Sequence, residues 1–358
     1  MATLTESSVI ARKVIRYSLY SFIVFMVLRF TIFTSIDLYK KYFPEKPKAT
    51  LAFGKLPKLP FPIRETPKDF VYTLELPQAA LPIFPELATV YFMPPFQRNI
   101  NALEDARRKA VAFNFGRQEK QVAETIPNIY VFQSPKEPSN FTINIVTGIF
   151  SIGYNFDGNP QVLSQVPPTA DGAYTRLSAA LGGAGIYPED FKNVPAITKF
   201  IKIENGQFNE VTSLSEANLT KVNLFRKNYG EKEDIPAVTP NFPDSNVWFM
   251  FTGKSQNAVV GEYHYFPIDT QRIATYPLKT ADTAWSELSS GNAFVANMGN
   301  PQTNNVTIRK VYLAYYDPGQ YTSFYQPVVV FEGENSFAAY VPAVPDDYYG
   351  AEIKNSGN

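Results

Sequence analysis

The chain has 358 residues, 33 basic and 33 acidic, so its formal charge is zero and no basic field exists to gather nucleic acid. It contains no cysteine, which removes disulfide frameworks, cysteine-ligated zinc, iron–sulfur clusters and thiol nucleophiles together. Its 22 Tyr, 29 Phe and 29 Pro favour strands, edges and turns over long helices or disorder.

Residues 1–16 form a short tail with Arg12, Lys13 and Arg16 at its end, followed by the apolar run YSLYSFIVFMVLRFTIFTSI over 17–36. As a helix that run matches the thickness of a bilayer core and predicts one transmembrane span. Arg29 opposes insertion by about 2.5 to 3.5 kcal/mol, while each Leu, Ile, Phe or Val returns about 0.3 to 0.6 kcal/mol. Lying past the midpoint, Arg29 either snorkels to the nearer surface or meets an intramembrane carboxylate on another protein. The basic residues before the run also suit a signal peptide, but no small-residue cleavage site follows, which favours an uncleaved signal anchor. The expected orientation is tail inside and body outside, opposed in part by Lys40, Lys41, Lys46 and Lys48.

Residues 37–68 include PEKPK and FGKLPKLPFPIRETP. Repeated prolines block helix and hold each preceding residue extended, which predicts a semi-rigid stalk between membrane and body. The alternation of Leu56, Leu59 and Phe61 also permits a recognition strand or polyproline ligand.

Beyond it, FVYTLEL at 70–76 and residues 89–92 read as strands. Asn101 and Glu104 make a capping-box pattern for a helix with Leu103, Ala106, Ala110 and Phe113 on one face, ended by Gly116. Strands follow at 128–132, 141–146 and 149–154, the last pair turning at Thr147 and Gly148. The order helix, then hairpin, returns from Thr169, with Tyr174, Leu177 and Leu181 on one face and Asn205-Gly206 between strands at 200–204 and 207–212. Strands are also expected at 221–226, 247–251 and 259–265. A third occurrence begins at Thr280, which caps a helix with Ala281, Ala284, Trp285 and Leu288, closed by Gly291 before strands at 306–316, 326–332 and 336–341. The fold class is α+β: repeated small domains of antiparallel sheet, each covered by a helix, arranged as a first domain at 69–160 and a larger second at 161–344, itself divisible near 245–275, with a tail at 345–358.

TYPLKTADTAWSELSSG from Thr275, VYLAYYDPGQ from Val311 and QPVVVFEG from Gln326 resemble the YycH/YycI-like extracytoplasmic regulators, at Ala284, Tyr315, Tyr316, Pro327 and Val328. The arrangement is also similar to PepSY-type domains. The resemblance covers only the stretch from Thr275 through the last predicted strand, and the proline-rich stalk is not part of that pattern. It implies one amino-terminal span, a non-catalytic exterior and the tuning of a membrane sensor kinase, and it carries over no catalytic residue.

A hydrolytic triad needs a proton-accepting histidine, and the chain has only His264, read as a strand residue sharing a face with Glu262. The motifs GxSxG, HExxH, the P-loop and GxGxxG are missing, and Gly182-Gly183-Ala184-Gly185 reads as a helix stop. Asp346, Asp347, Tyr348 and Tyr349 read as solvated tail, with a calcium or sugar contact as the other reading. Glu104, Asp105, Arg107 and Arg108 read as the polar face of a helix. No catalytic, cofactor or metal residue is therefore expected. Alternation along one strand and its loop should bring some of Tyr312, Tyr315, Tyr316, Tyr321, Phe324 and Tyr325 to the surface as an interaction patch, with Arg29 as the intramembrane contact. The expectation is a non-enzymatic, membrane-anchored binding or regulatory protein acting on a membrane or envelope partner. The alternatives are a self-assembling envelope scaffold, which would make a homo-oligomer, and a carboxylate-based hydrolase.

Overall fold

The computed structural model describes residues 4–42, 48–64, 70–97, 99–121, 127–299 and 304–350. Two compact units divide the chain, Met1–Lys48 and Ala49–Asn358. The first is a single helix, α1 (Leu4–Tyr42), whose stretch Arg12–Ser35 has a mean hydropathy of 1.6 and no buried surface within the protein. It is long and apolar enough to cross a membrane. The hydroxyls of Ser18 and Thr31 donate to carbonyls one turn back, at 2.9 Å to Ile15 and 3.0 Å to Val27, so their polarity is met within the helix. The helix does not stop at Ile36. DLYKKY continues it, since the first proline of the chain is Pro44.

The stalk expectation fails for residues 49–64. They belong to the body, with Leu56 fully buried and Leu59 nearly so. Leu56 N–H donates to Tyr348 O and Leu56 O accepts from Gly350 N–H, both at 2.9 Å, a one-residue parallel bridge. Phe61 stacks on Phe294 with centroids 4.9 Å apart, and Thr50 and Thr275 exchange N–H to hydroxyl bonds at 2.9 Å. The prolines do exclude helix, but the apolar residues between them find pockets, and the segment is a strap rather than a spacer. Residues 43–47 and 65–68 of the expected stalk, residue 69 at the start of the expected first domain, and the tail after Gly350 lie outside the described residues.

In the body the chain passes through β1 (Val71–Leu74) and β2 (Leu87–Phe92), then α2 (Ala102–Ala112) and β3 (Glu119–Gln121). A meander follows, β4 (Ile129–Gln133), β5 (Ser139–Asn144) and β6 (Phe150–Tyr154), then α3 (Ala170–Gly183), capped by the Thr169 hydroxyl accepting from Gly172 N–H. The strands β7 (Ile197–Glu204) and β8 (Gln207–Val211) turn at Asn205 and Gly206, both with positive φ, the geometry an Asn-Gly pair favours. Next come β9 (Leu219–Leu224), β10 (Ala237–Val238), β11 (Val247–Phe251), β12 (Ala258–Tyr263) and β13 (Asp269–Pro277). The last elements are α4 (Ala281–Ser289), capped by Thr280, then β14 (Phe294–Asn297), β15 (Asn305–Tyr316), β16 (Phe324–Gly333) and β17 (Ala338–Pro342).

These strands make two sheets, not repeated domains. One has nine strands in the order β3-β4-β5-β6-β12-β11-β9-β7-β8, all antiparallel. The other has eight, built on β1-β15-β16-β17-β14 with β10 beside β15 and β2 joining β16 to β13. The expected division near 160 is crossed by the pairing of β6 with β12, where Ile152 faces Gly261. The nine-stranded sheet is an insertion between β2 and β13, which themselves pair antiparallel.

Cover explains the composition. On the nine-stranded sheet Phe132, Phe141, Phe150, Phe249 and Phe251 meet Ala106 and Ala110 of α2 and Leu177 and Leu181 of α3. On the eight-stranded sheet Val329 and Phe331 face α4 through Ala284 and Leu288, while Val328 and Val330 face the opposite side with Leu59 of the strap. A continuously apolar β16 follows from burial on both faces.

Candidate functional site

Half of the aromatic patch expected to reach the surface is core. Tyr315, Tyr316 and Tyr325 are at most 1% exposed. Alternation does send Tyr315 and Tyr316 to opposite faces, but both faces are covered: Tyr316 packs with Phe61 and Phe294, and Tyr315 stacks on Tyr325 at 4.9 Å and donates to Thr89 O at 2.6 Å. Tyr312 donates to the Glu332 carboxylate, Tyr321 rests on Phe96 and Phe266, and Phe324 lies between Phe53 and Phe92, all three partly buried. Arg29 is exposed on α1, its guanidinium 5.5 Å from the Phe33 ring centroid. Tyr349 is buried against the strap, which corrects the solvated-tail reading there, while Asp346 reaches Lys279 at 3.5 Å.

His264 lies just past β12 with both ring nitrogens engaged, Nε2 at 3.0 Å from Glu262 Oε2 and Nδ1 at 3.0 Å from Gly319 O. Burial disfavours its charged form, but the Glu262 hydrogen bond and the Gly319 carbonyl outweigh that and raise its pKa above the ordinary histidine value. The nearby Arg226 is buried between Asp317 and Asp190, a knot tying the two sheets. Among the described residues no group of three or more His, Cys, Asp or Glu is arranged to hold a metal.

Among the described residues three cavities open to solvent differ in how far their polar groups are already paired. One, about 610 Å³, runs past Glu137, Ser139 and Tyr154. There Tyr154 donates to Glu137, and Asn159 Nδ2 reaches Tyr154 Oη at 3.0 Å and Glu137 at 3.5 Å. A second, about 340 Å³, lies beside Arg64, whose guanidinium is held by Ala296 O at 2.8 Å and Asn241 Oδ1 at 2.7 Å.

The third, about 400 Å³, lies between α2 and the β5–β6 turn, and its charged group is uncommitted. Its floor comes from local chemistry. Asn99 Oδ1 accepts from Asn101 N–H at 2.8 Å and its amide donates to Asp105 at 2.6 Å, so Asn99, not the expected pair of Asn101 and Glu104, organises the helix start. Glu104 instead pairs with Arg107 and Arg117. Opposite, Asn144 Oδ1 accepts from Val146 and Thr147 N–H at 2.9 and 3.1 Å, and Gly148 turns with φ 74°. A β-carbon on Gly148 would stand 3.6 Å from Lys109 Nζ, an ordinary contact, so the turn lies beside the ammonium and it is the positive φ, not space, that favours glycine there.

Lys109 donates to no described residue, and burial holds its pKa below the ordinary lysine range, with Asp105 opposing and Arg108 adding to the shift. Asp105 is itself engaged by Arg108 and Asn99. The side-chain amides of Gln97 and Asn128 also line the cavity and have no partner among the described residues. Ile143, Ile145, Val146 and Phe96 supply its apolar wall. Sequence reading placed the α2 charges on a solvated face, and no local signal distinguishes Lys109 from its neighbours, because the cleft is closed by a turn distant in sequence.

No family model matches the chain, and no curated relative does. Among solved structures the chain is similar to an uncharacterized protein from Eubacterium rectale ATCC 33656, with 12% identity, a TM-score of 0.38, and coverage of 72% of this chain and 84% of that one. None of these comparisons links the chain to YycH/YycI-like or PepSY-type proteins.

Proposed function

We propose that the chain is a single-pass, membrane-anchored binding or regulatory protein, non-enzymatic, whose body acts outside the cytoplasm on a neighbouring membrane or envelope protein. The observation that carries this reading is the 24-residue stretch Arg12–Ser35, apolar and without buried surface, preceding a separate compact body. A helix apolar all round needs either a protein core or lipid, and this one has no core of its own. Arg12, Lys13 and Arg16 favour a cytoplasmic amino terminus. The YycH/YycI-like resemblance agrees with that architecture, with Arg29 as the contact to a partner within the bilayer.

Protease added to intact cells or spheroplasts expressing the full chain with a carboxyl-terminal tag tests it. Loss of the tag without lysis is the expected outcome. Protection until lysis would overturn the orientation and the extracytoplasmic role together.

A further inference from the structure

We propose that the cleft between α2 and the β5–β6 turn binds a small monoanionic ligand, a carboxylate carried on an apolar body, with Lys109 as its charge partner. The cavity, about 400 Å³, falls within the size range of small-molecule sites, which combine apolar walls with a few convergent polar groups. The sign of the ligand follows from charge accounting. Lys109 and Asp105 are the charged side chains among the described lining residues, and Asp105 is already met by Arg108 and Asn99. That leaves one unmet positive charge in a partly desolvated place, where a single carboxylate gains most. A phosphate group would call for a cluster of cationic donors, and among the described lining residues Lys109 is the one cation.

The rest of the wall defines the body of the ligand. Phe96, Ile143 and Val146 give it apolar contact, and Val146 is 51% exposed. The amides of Gln97 and Asn128, on the lining of the same cavity, offer both donor and acceptor, the complement of a peptide-like amide attached to the carboxylate-bearing end. An N-acylated apolar amino acid and the carboxyl end of a peptide share this chemistry. The turn holds Gly148 beside Lys109, so the charged end of the ligand lies between α2 and this turn.

The full chain in non-ionic detergent would be titrated by calorimetry with N-acetylvaline, with N-acetylvalinamide and with acetyl-Ala-Ala-Val. The acids should bind at up to about 1 mM and the amide at least about tenfold more weakly. Lys109→Arg should keep the preference and Lys109→Met should abolish it. Melting of Lys109→Met at or above the parent temperature would show that the fold is intact, since burial already disfavours that ammonium. Val146→Asp, at the exposed rim, should weaken the acids and spare the amide, giving a second variant independent of the lysine. Tighter binding of the tripeptide would assign a peptide end, and equal binding a free acyl amino acid; both uphold the site. Failure of both acids to bind, equal affinity for acid and amide, or an undiminished preference in Lys109→Met would overturn it. None of these outcomes depends on which side of the membrane the body faces.

Discussion

Arg226 donates from Nε to Asp317 Oδ2 at 2.6 Å, and through this contact the end of β9 in one sheet is joined to the end of β15 in the other. The same guanidinium reaches Asp190 at 2.8 Å and Phe266 O at 2.7 Å and lies 4.4 Å from the Tyr265 ring centroid. Removing one member leaves buried charge unmet. Arg226→Met should therefore cost about 3 to 5 kcal/mol of stability, read from the midpoint of urea unfolding of the full chain. A loss below about 1 kcal/mol would show that the knot is not what joins the sheets.

The strap makes a different prediction. If residues 49–64 were a spacer, truncating Leu56 would change nothing. Its side chain is instead fully buried with Val90, Tyr276 and Tyr349, so Leu56→Ala should destabilise the body by about 2 to 5 kcal/mol. Lys58→Ala, in the same segment, removes no buried apolar group and serves as the control. Equal melting temperatures for both variants would restore the spacer reading.

His264 gives the body a pH-dependent clasp. Its pKa is raised in the folded state, so the stabilisation is fully present below the unfolded histidine value of about 6.5 and is lost as pH rises through the folded value. The groups facing it are Glu262 and the Gly319 carbonyl, with Asp317 further off. The difference in stability between the parent and His264→Gln should be larger at pH 5.5 than at pH 8. A difference that is flat, or that grows with pH, would mean that the imidazole is held neutral.

Local chemistry made many elements readable in the sequence. Thr280 caps the helix it was expected to cap, the helix expected from Thr169 begins there, and Asn205-Gly206 forms the hairpin turn its backbone preference demands. What was not readable is pairing at long range. The helix-then-hairpin order is present in the chain, but β6 finds β12, and β1 finds β15, so strands from different occurrences share a sheet. The tyrosines show the same limit: their period correctly separates Tyr315 from Tyr316, yet period says nothing about whether the outer face is covered, and here the strap covers it. Lys109 carries no mark in the sequence because its setting is made by Gly148 and Ile145, on a turn that only the fold brings near.

The insertion of one sheet within the other also orders events as the chain is made. The nine-stranded sheet draws only on residues 119–263 and has all its strands once β12 has been synthesised. The strap and β1 are made earlier, yet their partners, β15 and the stretch around Tyr349, are nearly the last to appear. Such pairings between distant segments are slow to form, because the chain between them must be ordered before the contact can stabilise it. The earliest part of the body to leave the ribosome is thus the last to be locked, and the edge of β15 stays unpaired until β1 docks on it. A cell producing this protein has to shelter β1 and the strap, which stay without their partners through most of the chain's synthesis.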